Sequence, residues 1–391
     1  MLLIRTAIKN IISGGKKTWL NVFVLSFSMI ILVGYNGLID GWVDQARRES
    51  AKWEVAGGQF WHSGYDRYDI FTLQDAHGQI PPQLKTLIGQ KQATPQLIMQ
   101  GSIYPNGRMK NILVKGIDPE QTILDIPSAN LRQQEENNYI PAIIGTRMSN
   151  STELRKGDIA MLRWRDKNGV FDAREIIIAD VFANKVPGID FGQIWISLDD
   201  LYKMTGMRGE ATIVVVSTDA PINDGVAEDW IFRDVEYLNS DITQMENASQ
   251  VETFIIFCLL IALCLLAVFD TQTLSIFRRQ KEIGTLVALG MTPKRVMIQF
   301  TIEGTLYSVL GVVAGLIWGS PILWLLGERG FSFPSAYDNI MGVDKIYPTY
   351  IPSTIIVSMI TIILLSALIS YLPARKIAKQ NIVYALKGKI S

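Results

Sequence analysis

"RRQKEIGTLVALGMTPKRV", residues 278–296, is a charged and then amphipathic stretch between two long apolar segments. Its apolar stripe has the spacing of one helical face, with members at Ile283, Leu286, Val287 and Gly290. Gly290 tolerates the left-handed backbone found just beyond a helix C-terminus. Thr292 and Pro293 suit the N-cap and the first position of a new helix. The stretch therefore predicts a short helical elbow that joins two longer helices.

Four apolar runs in the 391 residues are long enough to cross a bilayer, which takes about 20 helical residues. They cover residues 18–43, 251–276, 297–326 and 350–372. A hydrophobic content of 48% and a mean hydropathy of +0.20 also place part of the protein in lipid. The first run could instead be a signal peptide, but it is long and no small-x-small cleavage site follows it. We therefore expect it to stay as the first span.

The chain has 37 basic and 37 acidic residues, and this balance does not suggest a nucleic-acid partner. Fourteen basic residues nevertheless flank the spans on one side of the membrane, against the single acid Glu282. They are Arg5, Lys9, Lys16, Lys17, Arg278, Arg279, Lys281, Lys294, Arg295, Arg375, Lys376, Lys379, Lys387 and Lys389. By the positive-inside rule that side is the cytoplasm. Residues 1–17, 277–296 and 373–391 are then cytoplasmic, and residues 44–250 and 327–349 are extracytoplasmic.

The predicted fold is an α-helical membrane protein with four transmembrane helices, one before and three after a large extracytoplasmic α/β domain. In that domain, Asp166-Lys167-Asn168-Gly169 between two β-rich runs predicts a hairpin. "NILVKGID", "QIWISLDD" and "ATIVVVST" are further strand candidates, and "PPQLKTLIGQ" and "LDDLYKMTG" are helix candidates. His62 and His77 lie near several aspartates, but we interpret these as a solvated acidic face and expect no metal site and no catalytic residue.

The longer stretch "RRQKEIGTLVALGMTPKRVMIQFTIEGTLYSVLGVVAGLIWG", residues 278–319, resembles the signature region of ABC transporter permeases of the FtsX/MacB/LolCE type. The ending "YLPARKIAKQNIVYALKG" is similar to that of the same family, with Ile382 where the family usually has proline. Three blocks of the outer domain, residues 114–120, 143–169 and 188–207, are similar to the LolC/LolE branch and favour it over MacB efflux pumps. The resemblance also implies a multi-pass protein of the bacterial inner membrane, with both termini cytoplasmic and the large domain periplasmic.

The resemblance implies that two permease subunits assemble around two copies of a separate cytoplasmic ABC ATPase. The elbow would dock in a groove of that ATPase through Glu282, Ile283, Gly284, Leu286, Val287, Leu289 and Gly290. The ATPase would bind ATP and Mg, and this chain would bind no cofactor. "SGGKKTW" at 13–19 lacks the spacing of a phosphate-binding loop, so we expect a permease subunit and not an enzyme.

The resemblance also implies a function in extracting or releasing lipoprotein, or another lipid-anchored cargo, from the inner membrane. The further partners would be a second permease subunit, identical or not, a periplasmic carrier or adaptor, and membrane lipids. MacB-like export of peptides or small molecules, and FtsX-like signalling to cell-wall hydrolases without transport, remain alternatives. A candidate cargo cavity between opposing subunits is lined by Phe23, Phe27, Met29, Ile30, Phe254 and Phe257, unless these residues only face lipid.

Gly311, Gly315 and Gly319 form a face of the third span that is nearly free of side chains. We expect this face to pack either on spans two and four of the same chain or on a second subunit. Asp270 and Glu303 lie in apolar sequence, where a charge is costly. Each is therefore expected to face protein or to lie near the cytoplasmic surface.

Overall fold

A computed structural model describes residues 15–132, 139–184, 187–222, 228–332 and 345–378, without the side chains of 16–18, 187–188 and 286. Parts of the predicted segments 1–17, 327–349 and 373–391, with Ile382, lie outside the described residues. The chain divides into two compact units. Among the described residues, one unit contains those up to Val43, Met245–Ser332 and those from Lys345 onward, and the other contains those of Asp44–Gln244.

Four helices of the described chain are long and apolar enough to cross a membrane, as the sequence predicts. They are α1 (Lys16–Ser50), α7 (Ser240–Arg278), α9 (Pro293–Arg329) and α10 (Pro352–Ala378). Each exceeds the roughly 20 residues that a bilayer requires.

The helices do not end where the apolar sequence ends. The 39 residues of α7 correspond to a rod of about 58 Å, nearly twice the thickness of a hydrocarbon core. Similarly, α1 continues into a π-helical turn at Ala51–Val55. The predicted runs 18–43 and 251–276 therefore mark only the apolar parts of longer helices, since hydropathy does not detect where a helix continues through polar sequence.

The predicted elbow is a helix, α8 (Gln280–Ala288). Gly290 follows it with φ +98, the positive φ expected of a residue just beyond a helix end. Thr292 is then the N-cap of α9, and Pro293 is its first residue. Thr292 makes no side-chain capping hydrogen bond, so the fixed φ of Pro293 is the local feature that favours this start.

The second unit is a mixed α/β domain with a nine-stranded sheet in the order β11-β1-β10-β3-β4-β8-β5-β7-β6. The strands of this sheet are β1 (Gln59–His62), β3 (Ala93–Tyr104), β4 (Lys110–Ile117), β5 (Ile140–Gly145), β6 (Ile159–Arg165), β7 (Phe171–Phe182), β8 (Gln193–Ser197), β10 (Ile213–Val216) and β11 (Trp230–Arg233). In this unit β2 (Gly78–Gln79) and β9 (Glu210–Ala211) form a short pair, whereas the pair of β12 (Phe331–Ser332) with β13 (Lys345–Ile346) belongs to the first unit. The remaining helices are α2 (Pro82–Gly89), α3 (Thr146–Thr152), α4 (Pro187–Asp190), α5 (Leu198–Thr205) and α6 (Val235–Leu238).

Six of the nine strands form a closed ring, because β6 at the end of the order also pairs with β3. The ring encloses a core that includes Leu97, Val114 and Trp164. A second core covers the opposite face of β3 and β4 and includes Ile98, Ile117 and Trp195. The sheet is therefore buried on both faces along these strands.

The strand and helix predictions for this domain are confirmed. Antiparallel β6 and β7 flank the predicted turn, where Gly169 has φ +83. The Asp166 carboxylate accepts hydrogen bonds from the backbone N–H groups of Asn168 and Val170 at 2.9 and 2.8 Å. The other predicted strands correspond to β4, β8 and β10, and the predicted helices to α2 and α5.

Candidate functional site

Arg279 joins the elbow helix α8 to the long helix α9. Its guanidinium lies 3.3 Å from a carboxylate oxygen of Glu303 and 3.1 Å from one of Glu282. It also lies over the Phe300 ring, at 5.4 Å from the centroid. Glu303 is buried, which agrees with the expectation that it faces protein. Because a buried carboxylate is stable only with a close partner, this pair fixes the start of α8 against α9.

An apolar cluster also holds the elbow helix α8 against the long helices. Ile283 is only 6% exposed and packs in a cluster with residues of α7, α9 and α10. The other buried members are Ile276, Val296, Phe300 and Ala374. Val287 packs against this cluster. A displacement of α8 would therefore have to move three long helices or break these contacts.

Of the predicted docking stripe, Ile283 is buried against the chain's own helices, and Val287 packs partly against the same cluster. Helical periodicity shows that a face is apolar but not which partner covers it. Leu289 is 80% exposed and Glu282 has 68% of its side chain exposed, so these two can meet a partner. Gly284 is buried and Gly290 is exposed, and the side chain of Leu286 lies outside the described residues.

The glycine face of α9 packs against α1 of the same chain, and the expectation of spans two and four was wrong. A Cβ at Gly311 would lie 2.7 Å from the Cβ of Leu25, and one at Gly315 would lie 3.2 Å from the sulfur of Met29. A Cβ at Gly319 would overlap Ile30. The contact with α10 is made instead by Gly304, where a Cβ would overlap the Ser370 hydroxyl.

The six residues predicted to line a cargo cavity do not share one environment. Met29 is buried under the glycine face, and Ile30 packs at Gly319 but is only half-buried. Phe257 packs partly against the core of the helical unit. Phe23, Phe27 and Phe254 are 55%, 47% and 64% exposed. These three aromatic residues are thus the most exposed of the six, and the cavity between opposing subunits stays a prediction.

Sequence reasoning missed Trp318, which extends the exposed aromatic surface of α1. Its ring stacks on Phe23 at 6.0 Å between centroids, and Phe23 stacks on Phe27 at 5.9 Å. The indole N–H of Trp318 donates to the Ser26 hydroxyl at 3.1 Å. The close approach of α9 to α1 at Gly315 and Gly319 brings these rings together. A tryptophan between two glycines of a small-residue face was the available signal.

Among polar groups in apolar sequence, Asp270 is exposed, so it does not face protein within this chain. Its neighbour Gln272 is 1% exposed. Neither polar atom of the Gln272 side chain has a hydrogen-bond partner among the described residues. The Asn21 side-chain oxygen Oδ1 accepts a hydrogen bond from the Thr271 hydroxyl at 3.0 Å, which links α1 to α7.

The two histidines occupy separate positions in the α/β domain. His77 lies 2.6 Å from the Glu210 carboxylate. Burial lowers the pKa of His62, against the opposing effect of Asp229. Within the described ranges, no group of three or more His, Cys, Asp or Glu side chains could hold a metal ion.

Comparison with known proteins gives a family match in the C-terminal part of the chain, which contains three of the four long helices. Residues 254–382 match the family described as FtsX-like permease C-terminal. The chain is 26% identical over 162 residues to the ABC transporter permease YtrF of Bacillus subtilis, which covers 39% of this chain and 37% of YtrF. It is 28% identical over 192 residues to the lipoprotein-releasing system transmembrane protein LolC of Xylella fastidiosa, with 46% of each chain covered.

It is also 26% identical over 196 residues to the macrolide export ATP-binding/permease protein MacB of Wolinella succinogenes, with 50% of this chain and 27% of MacB covered. The chain thus spans less than half the length of each of these relatives. The matches confirm the predicted resemblance at the level of the family. The four helices that are long and apolar enough to cross a membrane agree with this similarity, since they are what a multi-pass membrane protein requires.

Proposed function

We propose that this chain is an FtsX-type permease that couples ATP hydrolysis by a separate cytoplasmic ATPase to movements of its α/β domain. The ATPase would bind ATP and Mg, and the chain itself would bind neither. The proposed cargo is a lipoprotein or another lipid-anchored molecule, which the complex would extract or release from the inner membrane. The observation that carries this proposal is the elbow helix α8, anchored on one side and exposed at its end.

The exposed end of α8 is the proposed docking point for the ATPase. Leu289 offers an apolar side chain that is 80% exposed, and Glu282 offers a charge. A large apolar side chain in water at a helix end can be buried by a groove on a partner.

The anchored side of α8 supports the transmission step. Arg279 and Ile283 connect the elbow to α7, α9 and α10 through an ion pair and an apolar cluster. A push on Leu289 would therefore act on three helices at once. Because α7 is about 58 Å long, well beyond the hydrocarbon thickness, it can carry that motion out of the membrane.

A second permease subunit, identical or different, completes the proposed complex. Phe23, Phe27 and Phe254 present exposed aromatic surface, and we place the lipid-anchored cargo against them, between opposing subunits. The basic residues at the span ends support the proposed orientation, with α8 and both termini in the cytoplasm and the α/β domain in the periplasm. A periplasmic carrier or adaptor would then receive the cargo.

The MacB relatives support a second candidate function, export of peptides or small molecules, since one of them aligns with half of this chain. FtsX-like signalling to cell-wall hydrolases is a further alternative. ATP-dependent release of lipoproteins from vesicles that contain the complex separates these functions. Release supports the proposed cargo, whereas ATP turnover without release supports export or signalling.

Purification in mild detergent tests the docking step. Leu289→Asp should remove the co-purifying ATPase, because a carboxylate in an apolar groove is costly. Val170→Asp is the matched control, since Val170 is 59% exposed beside a positive-φ glycine at the turn of the outer domain. The control should keep the ATPase.

Retention of the ATPase by Leu289→Asp would contradict the docking assignment. Labelling of residue 289 by a membrane-impermeant reagent from outside the cell would contradict the orientation and with it the proposed function.

A further inference from the structure

The ends of the two helices that flank the α/β domain meet within that domain, at residues 44–55 and 235–244. The Ser50 hydroxyl donates to the side-chain oxygen of Asn239 at 2.8 Å, and both residues are buried. Ser50 is the last residue of α1, and Asn239 directly precedes α7. These two helix ends are therefore linked to each other directly.

Arg67, from the loop after β1, reaches both helix ends. Its guanidinium donates to the Leu238 carbonyl oxygen at 3.1 Å. It lies 3.9 Å from a carboxylate oxygen of Asp241 in the first turn of α7, and 4.0 Å from one of Glu54 in the π-helical turn that ends α1. One side chain thus bridges two acids on different helices, which Arg can do because its donors point in several directions.

The loop that carries Arg67 is fixed on both sides of it. Tyr65 packs against the second core of the sheet and meets Trp61 edge-on at 4.9 Å. The Tyr68 hydroxyl donates to the Asp241 carboxylate at 2.6 Å. Arg67 is therefore held between a side chain in the sheet core and one on α7.

Glu54 also acts electrostatically on a lysine of the sheet, Lys115. Lys115 lies on β4, is 8% exposed, and stands over the Trp195 ring at 4.9 Å from its centroid. Burial lowers the pKa of Lys115, and the charge of Glu54 acts in the opposite direction. Four residues of alternating charge thus connect the sheet to α7, namely Lys115 on β4, Glu54 at the end of α1, Arg67 in the loop and Asp241 on α7.

The backbone between the π-helical turn Ala51–Val55 and β1 is tightly constrained. Ala56 has φ +48, a conformation that costs free energy for a residue with a Cβ. A Cβ at Gly57 would overlap the carbonyl of Ser217, just after β10. The end of α1 is therefore pressed against the sheet, and a movement of this end must be absorbed by the sheet or by the charges around Arg67.

We infer that Arg67, with Glu54, Asp241 and Lys115, is the coupling point at which movement of the ends of α1 and α7 passes into the β3–β4 face of the sheet. This inference rests on the proposed function. Arg67 acts as a positioning residue, since it touches both helix ends. The two carboxylate contacts are long and partly exposed, so each is individually weak. Arg67 can therefore shift between them as the helix ends move.

Hydrogen–deuterium exchange of the complete complex, with and without ATP and vanadate, tests this assignment. In the unaltered protein ATP should change exchange both at residues 235–244 and in β4. In Arg67→Gln the change at residues 235–244 should remain, whereas the change in β4 should fall at least about fivefold, the low end of the range for coupling between sites. Arg132→Gln is the matched control, because Arg132 forms an exposed 3.6 Å pair with Glu120, and it should behave like the unaltered protein.

A milder variant covers the case in which Arg67→Gln does not fold. Asp241→Asn removes one carboxylate contact at a side chain that is 46% exposed, and it should also reduce the change in β4 selectively. A full ATP-dependent change in β4 in either variant that folds would overturn the inference. An equal loss in Arg132→Gln would overturn it as well. If ATP changed exchange nowhere in the unaltered complex, the proposed function itself would fail.

Discussion

Gly311 and Gly315 lie one turn apart on α9 and both face α1, yet an added methyl group should affect them differently. At Gly311 the new Cβ would lie 2.7 Å from the Cβ of Leu25. No change of rotamer moves a Cβ atom, so the two helices would have to separate. At Gly315 the nearest atom is the Met29 sulfur at 3.2 Å, which a flexible side chain can withdraw.

The difference between the two variants isolates this contact. Both replacements give the same gain in helix propensity, which cancels when Gly311→Ala is compared with Gly315→Ala. The remaining term is overpacking, which typically costs about 1–3 kcal/mol. We therefore expect Gly311→Ala to be less stable than Gly315→Ala by about that amount.

Unfolding of the purified chain in mixed micelles with an increasing fraction of SDS measures this difference. The contacts lie within one chain, so the difference should not depend on protein concentration. Equal stability of the two variants would refute the steric argument. A difference that shrinks as the protein is diluted would show that the glycine face serves a contact between subunits.

Two further predictions concern ionisable groups. Arg279→Met should lower the stability in the same assay by about 3 kcal/mol, because it takes the guanidinium away from the buried Glu303 carboxylate. Adding Glu303→Met should restore most of the loss. A double variant no more stable than the single one would contradict this prediction. Burial raises the pKa of Tyr65 to about 12, above its ordinary value near 10, so the folded chain holds this proton more tightly than the unfolded chain does. The resulting stabilisation is complete below pH 10 and is lost as pH rises toward 12. In Tyr65→Phe, the free energy of unfolding measured with denaturant should therefore fall less steeply at alkaline pH. An unchanged fall would exclude Tyr65 as its source.

The sequence predicted what depends on local pattern. Apolar runs located the four long helices, and Gly290 and Pro293 marked the ends of the elbow. The Asp166–Gly169 turn identified the β6–β7 hairpin. Each of these signals lies within a few residues of the structure it predicts, because backbone conformation at glycine, proline and turn residues is set locally.

The sequence did not predict what depends on which surfaces meet. Ile283 and Met29 were expected at surfaces and are buried, since an apolar side chain has no local signal for the partner that covers it. The ring closure of β6 on β3 joins strands that are distant in sequence. Arg67 was not recognised either, because its partners Glu54 and Asp241 come from opposite ends of the domain.

The pairing of β1 with β11 sets an order of events during biosynthesis. The first strand of the domain is hydrogen-bonded to the last, with His62 opposite Trp230, and on its other side to β10. β1 therefore leaves the ribosome long before either neighbour exists, and such non-local pairings form slowly. If the domain is translocated as proposed, it cannot complete its sheet until the start of α7 is within reach, so a chain arrested earlier would leave an unpaired strand open to proteases and chaperones.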